Sequence, residues 1–191
     1  VSELDVLIWI HDNMSNWVLD GLCEAANLLD SSYVIILSGL ILTAIPQTRK
    51  IGILMVIAQI FSSLSIDLLK SLVDRTRPFD MYDIELLIGA PGNASFPSAH
   101  AGNAFTMAAA VYIYRHKEGI ILGIWAVFVC FSRLYLFVHF PTDVIAGAFV
   151  AVVATLAAYV VLDAIARKVG LEDTSHGQVD KQRRRFHPPV S

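Results

Sequence analysis

Apolar positions along this chain gather in long unbroken runs. They do not form the narrow stripe of a soluble amphipathic helix or the alternation of a half-buried strand. Five runs approach the roughly 20 apolar residues that a helix needs to cross the hydrocarbon core of a bilayer. They cover 28–45, 51–69, 98–114, 120–138 and 144–162, the first qualifying when it starts near Asp30. The first 27 residues depart from this pattern. Glu3, Asp5, His11, Asp12, Asp20 and Glu24 interrupt the apolar residues there, and Trp9 and Trp17 suit the headgroup level. Short amphipathic helices lying on the membrane surface are expected in this part, with a poor sixth span as the alternative. The predicted fold class is all-α, an integral membrane helical bundle of five to six spans. It divides into an interfacial amphipathic segment 1–27, a transmembrane domain 28–168 and a basic, disordered cytoplasmic tail 169–191.

Composition sharpens this picture. The 191 residues are 55% hydrophobic and only 16% charged, against about 25% charged in ordinary soluble domains. Cys23 and Cys130 stand far apart in apolar surroundings without metal-ligand spacing, and are read as free buried thiols. No basic region precedes the apolar residues at the start, so no cleavable signal peptide is expected.

The net charge of −3 matters less than where the charges stand. Of 14 Lys and Arg, ten lie in four places: Arg49 and Lys50; Arg115 and Lys117; Arg167 and Lys168; and Lys181, Arg183, Arg184 and Arg185. Five spans bring all four places to one side, which the positive-inside rule makes cytoplasmic. The other four, Lys70, Arg75, Arg77 and Arg133, fall at the opposite end. Cations that break the orientation trend call for a local anion.

Three short stretches carry candidate chemistry. In "KSLVDRTRP", Lys70 and Arg77 are seven residues apart, nearly two helical turns, and Pro78 discourages further helix. Snorkelling at a helix end would also explain them. Asp67 and Asp74 flank Lys70 at helical spacing and are expected to pair with it. A long outer loop, 79–96, follows and is punctuated by Gly89, Pro91 and Gly92. In "SFPSAH", Pro97 and Ser98 fit a helix start with Ser98 near the cap. The free N–H groups of such a start suit phosphate, and His100 lies within the first turn. Asn103, one turn on, suits the polar interior.

The third stretch is "SRLYLFVHFPTD", with Arg133 within a predicted span. Arginine there costs about 2.5–3.5 kcal/mol on insertion scales, less toward the edge, which favours burial against an anion. Thr142 fits as the cap of the last helix. Asp143 can accept from one ring nitrogen of His139, fixing its tautomer and aiming the other nitrogen outward. A histidine so held can act as a nucleophile, and a structural His–Asp pair is the alternative. Three cations, a helix N-terminus, two histidines and a carboxylate at one membrane face match the needs of phosphoryl transfer.

These motifs resemble the type 2 phosphatidic acid phosphatase superfamily, the lipid phosphate phosphatases. That family shows Lys, six residues, then Arg-Pro, here Lys70 through Arg77-Pro78. Its Pro-Ser-Gly-His reads Pro97-Ser98-Ala99-His100, with Ala99 the one departure. Its Ser-Arg, His and Asp are Ser132-Arg133, His139 and Asp143. The resemblance covers roughly 51–162.

The resemblance implies roles. His139 would form a phosphohistidine, with Asp143 orienting it. His100 would protonate the leaving group and then activate water. Lys70, Arg77, Ser98, the backbone of Ala99 and Arg133 would hold the phosphoryl group. Arg75, outside the fixed positions, would bind a second phosphate or pair with Asp74. No metal and no cofactor are implied. The expected partners are a lipid phosphate substrate and membrane lipids, with no nucleic acid. The expected place is the plasma membrane with an extracytoplasmic site. Undecaprenyl diphosphate is the favoured substrate, and phosphatidic acid or phosphatidylglycerol phosphate are alternatives. A non-catalytic lipid-phosphate binder or transporter and a soluble haloperoxidase are the competing classes. Gly147 and Ala151 permit close helix packing, and the oligomeric state stays open.

Overall fold

The computed structural model of the chain describes residues 2–82 and 84–170. The tail expected over 169–191 therefore falls, from residue 171 on, outside the described residues. Among them the chain forms eight helices: α1 (Glu3–Met14), α2 (Trp17–Leu29), α3 (Ser32–Ala44), α4 (Arg49–Val73), α5 (Pro78–Met81), α6 (Ala99–Tyr114), α7 (His116–Tyr135) and α8 (Pro141–Lys168). This is the all-α membrane bundle that the apolar runs predict.

The stretch Arg49–Met81 and the helices α7 and α8 are each long and apolar enough to cross a membrane. The pair α2 and α3, bent by 59° at the break around Asp30, adds a fourth if it is counted as one span, so three or four such spans stand among the described residues where five to six were expected. The predicted boundary after residue 27 thus falls inside α2, which runs on to Leu29. Helix α6 has 16 residues, about 24 Å at 1.5 Å per residue. It is the central helix, packed on α3, α4, α7 and α8. Its inward positions are small, with Ala101, Gly102, Ala104, Ala108 and Ala110 buried, which lets four neighbours approach it closely. Large apolar side chains face outward instead. Phe61 and Leu64 on α4, Ile121 and Ile124 on α7, and Ile145 and Phe149 on α8 are all exposed. Such a belt would aggregate in water and is the lipid-facing surface of the bundle.

The topology gathers one set of helix ends. The C-terminal ends of α4 and α7 meet the N-terminal ends of α6 and α8. Arg49, Lys50, Arg115, Lys117, Arg167 and Lys168 stand at the other ends of those helices. The cluster Lys181, Arg183, Arg184 and Arg185 lies outside the described residues.

Two left-handed residues shape the gathered end. Helix α4 stops where Asp74 takes φ 44°, and α7 turns back where Phe137 takes φ 58°. Non-glycine residues adopt this region at a cost of about 1–2 kcal/mol. Burial of Phe137 beside Leu7 and Phe140 offsets it. Gly147 and Ala151 are buried within the bundle. A Cβ at Gly147 would lie 2.2 Å from the Ser98 carbonyl oxygen. Only glycine lets α8 come this close to the start of α6.

Candidate active site

The close approach at Gly147 joins two of the sequence motifs. The Ser98 N–H donates to the Asp143 carbonyl at 2.9 Å, so the start of α6 is tied to the first turn of α8. Ser98 is the N-cap of α6, as its sequence context predicts, and its side chain accepts from the Ala101 N–H. The cap of α8 differs from expectation. Pro141 occupies the first turn, Phe140 is the cap, and Asp143 Oδ2 accepts the Phe140 N–H at 2.8 Å. Thr142 sits within the helix, where its hydroxyl donates to Glu3 Oε1 and accepts from Arg75.

A cavity of about 170 Å³ opens at this end of the bundle. Lys70, Arg77, Ala99, His100, Arg133 and His139 line it, together with Asn27, Asn93 and parts of the outer loop. The structure thus brings together side chains from α4, α6, α7 and the turns after α4 and α7. Ser98 and Asp143 stand just behind them, both fully buried. The volume suits a phosphate-sized head, because whole-ligand pockets run to about 300–1,000 Å³. A lipid tail would have to lie along the apolar exterior.

The cations are preorganised by backbone. Arg77 donates from Nε to the Asn93 carbonyl at 2.7 Å, from Nη1 to the Val138 carbonyl at 2.8 Å, and from Nη2 to Asn93 Oδ1 at 2.7 Å. Lys70 donates to the Ala94 carbonyl. Neither Asp67 nor Asp74 forms an ion pair with Lys70 among the described residues, contrary to the expectation from helical spacing. The helix ends at Val73, and Asp74 turns into the left-handed region. Arg133 is 1% exposed. Its Nη1 donates to Asn27 Oδ1 at 2.8 Å, and Nε and Nη2 reach Ser132 Oγ at 3.2 and 3.1 Å. This explains how an arginine is tolerated in a span.

His139 is 4% exposed, with Nε2 facing Arg77 Nη1 at 3.4 Å and Nδ1 facing Asp143 Oδ2 at 3.6 Å. The sequence predicts a direct His–Asp hydrogen bond, but the Ser95 hydroxyl intervenes. Ser95 Oγ donates to Asp143 Oδ2 at 2.6 Å and lies 3.4 Å from His139 Nδ1. Burial drives the His139 pKa from 6.5 down to about 4, against the pull of Asp143, so the ring is neutral near pH 7. A neutral ring with Nδ1 toward an acceptor leaves the Nε2 lone pair facing the cavity. His100 Nε2 lies 3.4 Å from the Asn27 carbonyl.

Arg75 does not pair with Asp74, one of the two roles expected for it. Its Nη1 donates to Asp143 Oδ1 at 2.7 Å and its Nη2 to Glu3 Oε2 at 2.6 Å. Asn27, Asn93, Ser95 and Glu3 are the site residues that sequence reasoning missed. Ser95 left a trace as the first letter of the quoted "SFPSAH", and Glu3 only as one of the charges that interrupt the first 27 residues.

Fold and site define a membrane-embedded helical bundle with a cationic, histidine-bearing cavity at one end. Comparison with known proteins gives the family. The chain belongs to the PAP2 superfamily, which matches residues 47–167. An undecaprenyl-diphosphatase of Sulfolobus acidocaldarius is 37% identical over 131 residues, 68% of this chain and 64% of that protein. The match thus spans less than two thirds of that relative's length. Undecaprenyl-diphosphatase BcrC of Bacillus subtilis is 33% identical over 71% of this chain and 76% of its own length. Among solved structures, Aquifex aeolicus LpxE superposes with a TM-score of 0.71 at 26% identity, covering 82% of this chain and 93% of that one. The PAP2-type phosphatidylglycerolphosphate phosphatase of Bacillus subtilis gives 0.70 at 25% identity, covering 85% of each chain.

Proposed function

We propose that this protein is a membrane phosphatase that hydrolyses a lipid phosphate or diphosphate through a phosphohistidine on His139, with its site at the extracytoplasmic face. The observation that carries the reading is the cavity itself. Lys70, Arg77 and Arg133 surround a phosphate-sized space into which His139 and His100 also face. An anion binder needs the cations alone. Two histidines in the same space, one backed by Ser95 and Asp143, add a nucleophile and a proton donor.

In the first half-reaction His139 Nε2 forms a bond to phosphorus as the bridging P–O bond breaks. The departing lipid oxygen takes the proton of His100, whose charged form the adjacent phosphoryl group favours. In the second, His100 takes a proton from water, whose oxygen bonds to phosphorus as the P–N bond breaks. Inorganic phosphate leaves and His139 is restored. Lys70, Arg77, Arg133, the Ser98 hydroxyl and the N–H groups at the start of α6 meet the charge on the phosphoryl oxygens. Positioning and electrostatics of this kind supply most of the catalysis of phosphoryl transfer.

Sidedness is read from charge. The basic residues at the far helix ends mark the cytoplasmic side, which leaves the cavity outside. With it goes the organisation into an interfacial α1, a transmembrane phosphatase domain and a cytoplasmic tail. The exposed Trp9 and Trp17 suit the headgroup level. Undecaprenyl diphosphate is the favoured substrate, supported by the two relatives that carry that activity in their names. Phosphatidylglycerol phosphate is the second reading, supported by the Bacillus structure. The test is phosphate release in detergent from undecaprenyl diphosphate, undecaprenyl phosphate, phosphatidic acid and phosphatidylglycerol phosphate, with and without chelator. Fastest turnover of the undecaprenyl diphosphate, undiminished by chelator, is expected. Lipid binding without release of phosphate would return the protein to the class of binders or transporters.

A further inference from the structure

The matched family region begins at residue 47, yet the arginine that holds the carboxylate behind His139 is itself held from before that boundary. Asp143 is fully buried, and its two oxygens have separate duties. Oδ2 accepts from Ser95 Oγ and the Phe140 N–H and faces His139. Oδ1 accepts from Arg75 Nη1 at 2.7 Å. Arg75 reaches the array twice, because its backbone carbonyl also accepts the Ser95 N–H at 2.8 Å. One residue therefore fixes both groups that adjoin His139 Nδ1.

The guanidinium is itself clamped. It lies over the Phe140 ring at 4.0 Å from the centroid, and its Nη2 donates to Glu3 at 2.6 Å. The other Glu3 oxygen accepts the Thr142 N–H and the Thr142 hydroxyl, each at 2.8 Å. Glu3 thereby satisfies a free N–H in the first turn of α8, where a carboxylate is also favoured by the helix dipole. Glu3 sits on α1, whose Leu7 and Ile10 are buried against the turn carrying Phe137, Val138 and Phe140. A surface ion pair alone would contribute little. This one ends on a buried carboxylate and joins it to a second carboxylate through a planar fork that lysine does not reproduce.

We propose that Arg75 and Glu3 are positioning residues of the hydrolase centre, and that α1 is thereby part of the catalytic unit. The relay runs from Glu3 through Arg75 to Asp143 Oδ1 and fixes the orientation in which Asp143 and Ser95 hold His139. This inference rests on the phosphatase reading and deepens it. It also assigns Arg75 away from the second phosphate of a diphosphate substrate.

The test uses the full chain in detergent micelles, with undecaprenyl diphosphate and undecaprenyl phosphate as probes. Arg75→Met is expected to lower kcat about 10- to 100-fold on both, as loss of a supporting hydrogen bond to a catalytic group does, with KM within about twofold. Arg75→Lys should recover part of the loss. Glu3→Gln should cost less, and should add little in the Arg75→Met background because both act through one contact. A rise in KM for the diphosphate alone with kcat intact would overturn the proposal, and so would fully multiplicative effects of the two substitutions. Nitrogen-15 spectra of the histidines, with the His139 signal assigned by its loss in His139→Ala, decide the matter independently of turnover. A His139 signal that shifts in both Glu3→Gln and Arg75→Lys is expected, and an unchanged signal in both overturns the relay. Wild-type protein that releases no phosphate would defeat the phosphatase reading alone, because the spectra still report the positioning.

Discussion

Ser95 donates to Asp143 Oδ2 at 2.6 Å, closer than His139 comes to the same oxygen at 3.6 Å. The serine hydroxyl, 3.4 Å from Nδ1, is placed to receive the His139 N–H while its own proton goes to Asp143. Orientation of His139 by Asp143 therefore passes through a hydroxyl.

Replacing Ser95 with Ala removes that link and leaves Asp143 Oδ2 with one donor fewer. A fall in kcat of about tenfold is expected, with KM little changed, as for an interaction that matters chiefly in the transition state. Steady-state kinetics on one lipid phosphate decide it. An equal rise in KM with constant kcat would place Ser95 among the substrate ligands instead.

Asn27 supplies the only side-chain partner of Arg133 Nη1 among the described residues, at 2.8 Å. An Asn27→Asp substitution would put a carboxylate in competition with the phosphoryl group for the same guanidinium. KM is expected to rise about tenfold or more, with a smaller loss in kcat, because a close charge pair in a partly buried site is strong. Competition by inorganic phosphate or vanadate should weaken in parallel. Unchanged affinity for both anions would mean that Arg133 is not a ligand of the phosphoryl group.

Burial lowers the His139 pKa from 6.5 to about 4. Between those two values the unfolded chain binds a proton that the folded chain refuses, so native stability rises with pH across this window. Stability is thus lost as pH falls below 6.5 toward 4 and carries no such dependence above it. Melting temperature followed from pH 7 to pH 4 should fall more steeply for wild type than for His139→Asn. Parallel curves would show that His139 titrates normally in the folded protein.

The apolar helices and the cations and histidines of the cavity were legible in the sequence because they depend on short-range pattern. Apolar run length announces a span, and Lys70 with Arg77, or Arg133 with His139, sit at spacings that a helix end converts directly into shared direction. The polar support was not legible. Arg133 and Asn27 are 106 residues apart, Arg75 and Glu3 72, and Ser95 and Asp143 48. No local periodicity encodes such contacts. Two local readings also failed for local reasons. Asp74 leaves the helix and cannot follow the i,i+4 rule with Lys70. Pro141 at the start of α8 moves the cap from Thr142 to Phe140 and frees Thr142 for Glu3.

Transfer of a phosphoryl group to His139 is the central claim, and covalent trapping tests it most directly. Full-length protein is mixed with undecaprenyl diphosphate carrying a labelled terminal phosphate and quenched in base within milliseconds. Its peptides are then mapped by mass spectrometry. The expected result is an acid-labile, base-stable label on the peptide that contains His139, absent from His139→Ala together with phosphate release. Label on another residue, or release by His139→Ala at the wild-type rate, would contradict it.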